Sequence, residues 1–240
     1  MRLQTILLVT ASLWAAAGFP SWPSEAAGGR RALVQAVDGA ASGSFRDPRD
    51  GEVYSWVRIG SQIWMAENLR FRTASGSWCW QNDESRCRER GRFYDWDTAQ
   101  RVAPPGWHLA SDAEWMTLEH TLGLTPAQTE DHGIDRGGEQ NTVAAQLKKP
   151  GAWPVEYHGK PIATTNETGF SAVPTGFYGL GEFTHDGYAS WWTSSDLGGK
   201  AWLRIIRFFD NKVGRDTNPK SIAFSVRCVK DVAPQRRVSR

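Results

Sequence analysis

Alternating apolar and polar side chains mark the first folded element of this chain. Residues 50–69 open on an Asp-Gly turn signal, alternate in polarity, break at Gly60-Ser61 and then resume with apolar residues. Alternation over a short run is typical of a half-buried strand, and Gly-Ser between two such runs is typical of a turn. The pattern predicts a β-hairpin, with folded structure beginning near Phe45.

A helical spacing of apolar residues follows a capping motif. Ser111 and Glu114 have the spacing of a capping box, in which each side chain accepts a hydrogen bond from the other residue's backbone N–H. Trp115 and Leu118 then lie on one helical face, and Gly123 can adopt the left-handed conformation that ends a helix. We therefore predict a helix from Ser111 to Gly123.

Two shorter helical segments are expected. One runs from Asn141, as N-cap, to Leu147, and Pro150-Gly151 stops it. The other is a turn or two over residues 97–101, which ends before Pro104-Pro105.

From Phe170 onward, the pattern changes to short β-rich runs that are divided by turn residues. These predicted strands cover residues 170–177, 188–193, 201–209, 212–216 and 222–229. Asp210-Asn211 lies between two of them and favours a tight hairpin, since both residue types tolerate a positive φ. The chain is therefore expected to have an α+β fold, with two or three short helices packed on antiparallel β-sheet and long loops.

The N-terminal residues have the pattern of a signal peptide. Arg2 supplies a positive charge, and residues 6–17 form an apolar run of about 12 residues, whereas a membrane-spanning helix needs roughly 20. We predict a signal peptide at 1–27, no transmembrane segment, and export to the periplasm or the cell exterior. Residues 28–44, rich in small and polar residues, are predicted to be a flexible polar linker before a domain at 45–231, and 232–240 a basic tail.

Composition narrows the partners and the architecture. The 28 basic and 26 acidic side chains nearly cancel, so no overall field attracts nucleic acid or an anionic membrane. The 13 Trp and 24 Gly are typical of short strands joined by many turns around bulky aromatic anchors. The tryptophans in apolar or periodic contexts are predicted to lie in the core; they are Trp64, Trp107, Trp115, Trp191 and Trp192.

Three cysteines in an exported chain suggest one disulfide and one free thiol. Cys79 and Cys87 bracket a short polar loop and are the expected pair. Cys228 is then expected to be a buried, unreactive thiol in the last strand.

Sequence motifs that carry well-known chemistries are absent. There is no Gly-x-Ser-x-Gly elbow, no His-Glu-x-x-His or Cys-x-x-Cys signature and no glycine-rich phosphate loop. Asp131, His132, Asp135 and Glu139 lack the spacing of an EF-hand and are interpreted as a solvated loop. His108 is interpreted as a half-buried imidazole with satisfied hydrogen bonds. The sequence therefore predicts no catalytic residue, no metal site and no cofactor.

Six blocks of residues occur in an order that resembles one protein family. They cover residues 63–69, 91–96, 106–115, 169–172, 191–195 and 224–229. In this order, over about residues 45–231, they resemble the Fibrobacter succinogenes major paralogous domain. The resemblance implies an exported bacterial protein with a C-type-lectin-like α+β fold. Family members often carry a cysteine just before the Gly-Trp-His-Leu block, where this chain has Ala103, Pro104 and Pro105, so Cys228 is expected to have lost a partner there.

In lectin-like folds the variable surface lies on the late loops and strands, which here hold aromatic residues among polar ones. The predicted ligand-binding residues are Tyr178, His185, Asp186, Tyr188, Arg204, Arg207, Asn211 and Arg215. Rigid rings beside adaptable polar groups suit a glycan or protein ligand.

We therefore expect an exported, non-enzymatic module that recognises a cell-surface glycan or protein. One alternative is an oxidase related to the sulfatase-modifying (formylglycine-generating) enzymes, which share the lectin-like fold and end in a similar strand. Such an oxidase needs a cysteine-based copper site or redox pair, which Cys228 alone does not supply. Another alternative is a purely structural envelope protein.

Overall fold

Short strands, with a few short helices between them, make up residues 41–231, the part of the chain that this computed structural model describes. The strands are β1 (Ser42–Arg46), β2 (Val53–Ile59), β3 (Gln62–Met65), β4 (Ser77–Trp78), β5 (Phe93–Asp95), β6 (Trp107–Leu109), β7 (Glu156–Tyr157), β8 (Lys160–Pro161), β9 (Phe177–Gly179), β10 (Glu182–Thr184), β11 (Tyr188–Leu197), β12 (Lys200–Arg207), β13 (Val213–Pro219), β14 (Ala223–Ser225) and β15 (Cys228–Lys230). The α-helices are α1 (Glu84–Arg90), α2 (Trp96–Ala99), α3 (Asp112–Thr121) and α4 (Pro126–Glu130). Short 3-10 helices cover Trp80–Asn82, Gly138–Gln140 and Val143–Gln146. The fold is mixed α+β, as predicted.

The predicted signal peptide (1–27) and basic tail (232–240) lie outside the described residues, as does most of the predicted linker. Strand β1 begins at Ser42, slightly before the predicted domain start at residue 45. Residues 42–44 therefore belong to a paired strand, because Ser42 to Arg46 run antiparallel to β2.

The predicted hairpin forms the centre of the first sheet, whose order is β1-β2-β3-β15-β6. Strands β2 and β3 pair antiparallel on either side of Gly60-Ser61, which confirms the hairpin. Strand β15 lies between β3 and β6, with Val229 opposite Trp64 and Cys228 opposite Leu109. The last strand of the described chain therefore pairs in the same sheet as the first three strands.

The second sheet has the order β10-β9-β14-β11-β12-β13, with β5 on β14 and β4 on β5. It is antiparallel apart from β11 and β14, which are parallel. The predicted strands at 188–193, 201–209 and 212–216 are present as β11, β12 and β13. Residues 208–212 join β12 to β13, and neither Asp210 nor Asn211 has the positive φ expected of a tight turn.

Two of the predicted strands are wrong. Residues 170–177 do not form one strand, because Ser171 and Gly176 have positive φ angles of 57° and 68° that interrupt an extended chain. Residues 222–229 divide into β14 and β15, which belong to different sheets. Arg227 lies at the break, fully buried.

The predicted capping box starts α3. The Glu114 backbone N–H donates to Ser111 Oγ, and the Ser111 N–H donates to Glu114 Oε2 at 2.8 Å. The helix predicted from Asn141 is only the 3-10 turn Val143–Gln146, and Asn141 is not its N-cap. Asn141 instead uses its side-chain amide to bind the backbone of β13 at Val213.

The core lies on both faces of the central strands. Trp191 and Trp192 are adjacent in β11 and belong to two different clusters of buried residues, since successive side chains of a strand point to opposite faces. Trp64 and Trp115 join the cluster of Trp191, and Trp107 joins that of Trp192. All five tryptophans predicted for the core are buried.

Candidate functional site

Arg204, predicted to lie on the ligand-binding surface, is fully buried. Its Nη1 donates to Asp112 Oδ1 and its Nε donates to Glu119 Oε1, each at 2.6 Å. Both carboxylates are on α3, which packs against β12. The prediction for Arg204 is therefore wrong, because a charged residue of this strand faces the core and finds its counter-charges there.

Arg207 and Arg215 are also engaged in ion pairs. Arg207 is buried and donates to Asp135 Oδ1 at 2.6 Å and to Asp210. Arg215 binds Asp112, with its Nη2 2.7 Å from Asp112 Oδ2, and this hydrogen bond raises the pKa of Arg215. Neither guanidinium is free to take the primary role in a ligand site.

Asn211 also binds the protein itself. With its amide turned so that both groups are satisfied, the side chain donates to Ala163 O at 3.0 Å and accepts from Ala163 N at 3.2 Å. The remaining predicted site residues are Tyr178, His185, Asp186 and Tyr188. They lie on or next to the hairpin β9–β10 and are exposed or partly exposed.

One face of this hairpin continues into a row of partly exposed and exposed rings, which we call the aromatic strip. It consists of Phe177, His185, Tyr188, Phe208, Phe209 and Tyr157. Phe177 stacks on His185 with ring centroids 4.9 Å apart, and Tyr188 follows at 5.1 Å from His185. Tyr157, with 38% of its surface exposed, forms the far end, 5.2 Å from Phe208.

The opposite face of the hairpin carries a second group of rings, which we call the tryptophan face. It consists of Trp78, Trp80, Tyr178 and Phe183. Tyr178 and Phe183 are directly opposite in the β9–β10 pairing, so they share a face, and Trp78 stacks on Tyr178 at 4.8 Å. Asp186 pairs with Arg90 of α1 at the rim.

The disulfide loop holds the tryptophan face in place. Cys79 and Cys87 form the predicted disulfide, which encloses Trp80 and the start of α1. Trp80 packs against Gly176, where the positive φ and the closeness of the Trp80 ring leave no room for a Cβ. Glycine at this position therefore lets the disulfide loop contact the hairpin.

A polar pocket of about 230 Å³ lies beside the tryptophan face. Its lining includes Arg72, Thr73, Ser77, Trp78, Glu84 and Arg92. Arg92 is almost completely buried, with 4% of its surface exposed, and it pairs with Glu84. Trp78 belongs both to this pocket and to the tryptophan face.

Sequence reasoning missed the pocket and most of the rings of both faces. Phe177, Phe208 and Phe209 fall in segments that were considered only as strands or turns. The sequence does show aromatic residues clustered beside turns. This clustering indicates a shared surface only once the structure shows that these segments contact one another.

Buried Lys148 was also missed. Its ammonium group donates to the backbone oxygen of Asp210 and lies 4.8 Å from the centre of the Trp153 ring. Burial lowers the pKa of Lys148 to about 8. Asp210 lies in the connection between β12 and β13, directly after Phe208 and Phe209, so this contact fixes the backbone beside the aromatic strip.

The cysteines offer no metal site in the oxidised protein. Cys79, Cys87 and Glu84 lie close together, but both sulfur atoms are used in the disulfide. Cys228 is fully buried, and burial raises the pKa of its thiol far above the usual range. The prediction of a buried Cys228 is confirmed.

His108 has both ring nitrogens bound, as expected. Its Nδ1 is 2.6 Å from Asp231 Oδ1 and its Nε2 is 2.7 Å from Glu114 Oε1. Within residues 41–231, no helix is long and apolar enough to cross a membrane.

These features define an α+β domain with a disulfide-braced aromatic surface. Residues 57–230 match the Fibrobacter succinogenes major domain. The chain belongs to this family, which confirms the resemblance seen in the sequence. No match was found among curated proteins, and none among solved structures.

Proposed function

We propose that this protein is an exported, non-enzymatic module that binds a glycan along the aromatic strip, on a C-type-lectin-like scaffold. The observation that carries the proposal is the row of rings from Phe177 to Tyr157, in which His185 and Tyr157 are exposed and the others are partly exposed. Rigid, partly exposed rings offer contact area at low conformational cost, and neighbouring polar groups orient the ligand.

Export is supported by two independent features. The N-terminal sequence has the charge and apolar run of a signal peptide. The disulfide between Cys79 and Cys87 suits an oxidising compartment, where such bonds persist.

The non-enzymatic role is favoured over the oxidase alternative by the state of the cysteines. A copper or redox chemistry needs an accessible thiolate. Cys228 is completely buried and its raised pKa keeps it protonated, while the other two cysteines form the brace of the tryptophan face. A purely structural envelope role would leave the exposed rings of the strip without a ligand.

The test is binding of the full chain to a glycan array and to insoluble polysaccharides. Tyr157→Ala and Tyr188→Ala should each weaken binding about tenfold, because truncating an aromatic side chain that packs against the ligand typically costs more than about 1 kcal/mol. Leu180→Ala is the matched control, since Leu180 is 98% exposed and lies outside the strip. It should bind like the unaltered protein.

If the full chain binds no glycan but retains a protein from envelope extracts, the ligand is a protein rather than a glycan. Binding that Tyr157→Ala and Tyr188→Ala leave unchanged would overturn the role of the strip.

A further inference from the structure

The polar pocket contains a buried guanidinium group that the protein uses only in part. Arg92 Nε donates to Arg70 O at 3.1 Å, and Arg92 Nη2 binds Glu84. Among the described residues none accepts a hydrogen bond from Nη1, and this atom is not sealed from solvent. Arg92 also lines the pocket, so its guanidinium has unused hydrogen-bonding capacity beside the space that a ligand would fill.

Glu84 occupies the place that a ligand carboxylate would take. Its side chain is 57% exposed, it pairs with Arg92, and its Oε1 lies 3.9 Å from Arg72 Nη1. Glu84 is thus a carboxylate bound between two guanidinium groups, at a site open to solvent. An incoming carboxylate can replace Glu84 in the charge-assisted hydrogen bond with Arg92 and in the longer ion pair with Arg72.

The charge of the pocket favours an anion. Arg72 and Arg92 contribute two positive charges and Glu84 contributes one negative charge, while the other lining residues are neutral. The net charge of the lining is therefore positive. Because the Glu84 side chain is more than half exposed, it can turn into the solvent while a ligand carboxylate takes over its contact with Arg92.

The remaining walls are mostly polar and suit the hydroxyl groups of a sugar. Trp78 lines the pocket, but its ring stacks on Tyr178 and exposes little apolar surface there. Thr73 and Ser77 bring hydroxyl groups to the wall and are held by a hydrogen bond of 2.7 Å between them. A volume of about 230 Å³ admits a small ligand rather than a polymer.

We infer that this pocket binds the carboxylate of a small acidic sugar, with Arg72 and Arg92 as donors and Glu84 as an internal competitor. The inference goes beyond the proposed function, because the pocket and the aromatic strip lie on opposite faces of the hairpin β9–β10. The inference about the pocket can therefore be wrong while the proposed role of the aromatic strip is right, and the reverse also holds.

The test is isothermal titration of the full chain, at low ionic strength, with galacturonate and with neutral galactose. Galacturonate should bind more tightly than galactose. Arg72→Gln should lower the affinity for galacturonate roughly threefold to tenfold, as expected for loss of one partly screened charge contact. Glu84→Gln should raise it by a similar factor, because the competing charge is gone while the shape is kept.

Arg88→Gln is the matched control, since Arg88 is exposed on α1, the helix that holds Glu84, and does not line the pocket. It should leave the affinity unchanged. Thermal unfolding of each variant separates a lost contact from a lost fold, and Arg72 is 77% exposed, so its substitution tests the pocket even if Glu84→Gln destabilises the protein.

Three results would overturn the inference. These are equal affinity for galacturonate and galactose, tighter binding by the protein with Glu84 than by Glu84→Gln, and inorganic phosphate binding as well as galacturonate. Tyr157→Ala and Tyr188→Ala should have no effect on this titration, which keeps its outcome distinct from that of the glycan test.

Discussion

His108 shows how one side chain can connect distant parts of the domain. It lies in β6 and binds Glu114 of the α3 capping box on one side and Asp231, beyond β15, on the other. Burial lowers the pKa of His108, but the hydrogen bonds to Asp231 and Glu114 and their negative charges outweigh it, so the pKa is raised. The protonated imidazole therefore holds two carboxylates at once.

The raised pKa predicts a stability that depends on pH. The stabilisation from His108 is complete below the unfolded-state value of about 6.5 and is lost as pH rises through the higher folded-state value. The effect should be modest, because the side chain is 42% exposed and solvent screens its charge contacts. Urea unfolding from pH 5 to 9 should show this loss in the unaltered protein and lack it in His108→Gln.

His158→Gln is the control, at an exposed histidine for which the described residues provide no ion pair. A pH profile of His108→Gln that matches that of His158→Gln would contradict the role of the ion pairs that His108 makes with Glu114 and Asp231.

At the scale of the element, the disulfide loop is the main device that positions the tryptophan face. The bond between Cys79 and Cys87 follows from their closeness in sequence, but helix α1, which begins inside the loop, was not predicted. This helix is short and has no apolar periodicity; it starts because Asp83 caps it by accepting from the Ser85 N–H at 2.9 Å. Ring closure and capping together keep Trp80 against the hairpin.

Replacing both loop cysteines by serine should lower the free energy of unfolding by roughly 2–3 kcal/mol, because the unfolded chain regains the freedom of the closed loop. Urea unfolding with and without reductant measures this. Reductant should destabilise the unaltered protein and Cys228→Ala alike, and should have no effect on Cys79→Ser/Cys87→Ser. Sensitivity to reductant that survives in the double variant would show that another bond is responsible.

At the scale of the whole molecule, a buried polar node ties the two sheets together. Arg227 lies between β14 and β15 and donates to Met65 O at 2.9 Å and to Phe170 O at 2.6 Å. Within residues 41–231 no carboxylate pairs with it. Burial lowers the pKa of Arg227 to about 9. Asn68 completes the node, since its Oδ1 accepts from Arg227 Nε at 2.6 Å and from Trp191 Nε1 at 2.8 Å.

Asn68→Ala should therefore destabilise the protein by about 3 kcal/mol, because it leaves a buried charged donor and a buried indole N–H without an acceptor. Chemical denaturation gives the change in unfolding free energy. Asn218→Ala, at a partly exposed position of β13, should change it by less than about 0.5 kcal/mol. Equal effects of the two substitutions would mean that the node is not a principal link.

Local patterns in the sequence were sufficient for several elements of this fold. The alternation around Gly60-Ser61 and the capping box at Ser111 predicted the hairpin and α3, because each depends on residues that are close along the chain. The apolar contexts of Trp64 and Trp115 predicted their burial for the same reason.

The sequence alone determined the α+β class, the family, the disulfide and the aromatic anchors of the core. Only the tertiary structure decided that Arg204 is buried, that residues 222–229 split between two sheets, and that the rings of the aromatic strip meet. Periodicity predicts on which face of its own element a side chain lies. Whether that face contacts solvent, a counter-charge or another ring depends on segments that are distant in sequence, and a local pattern does not specify those contacts.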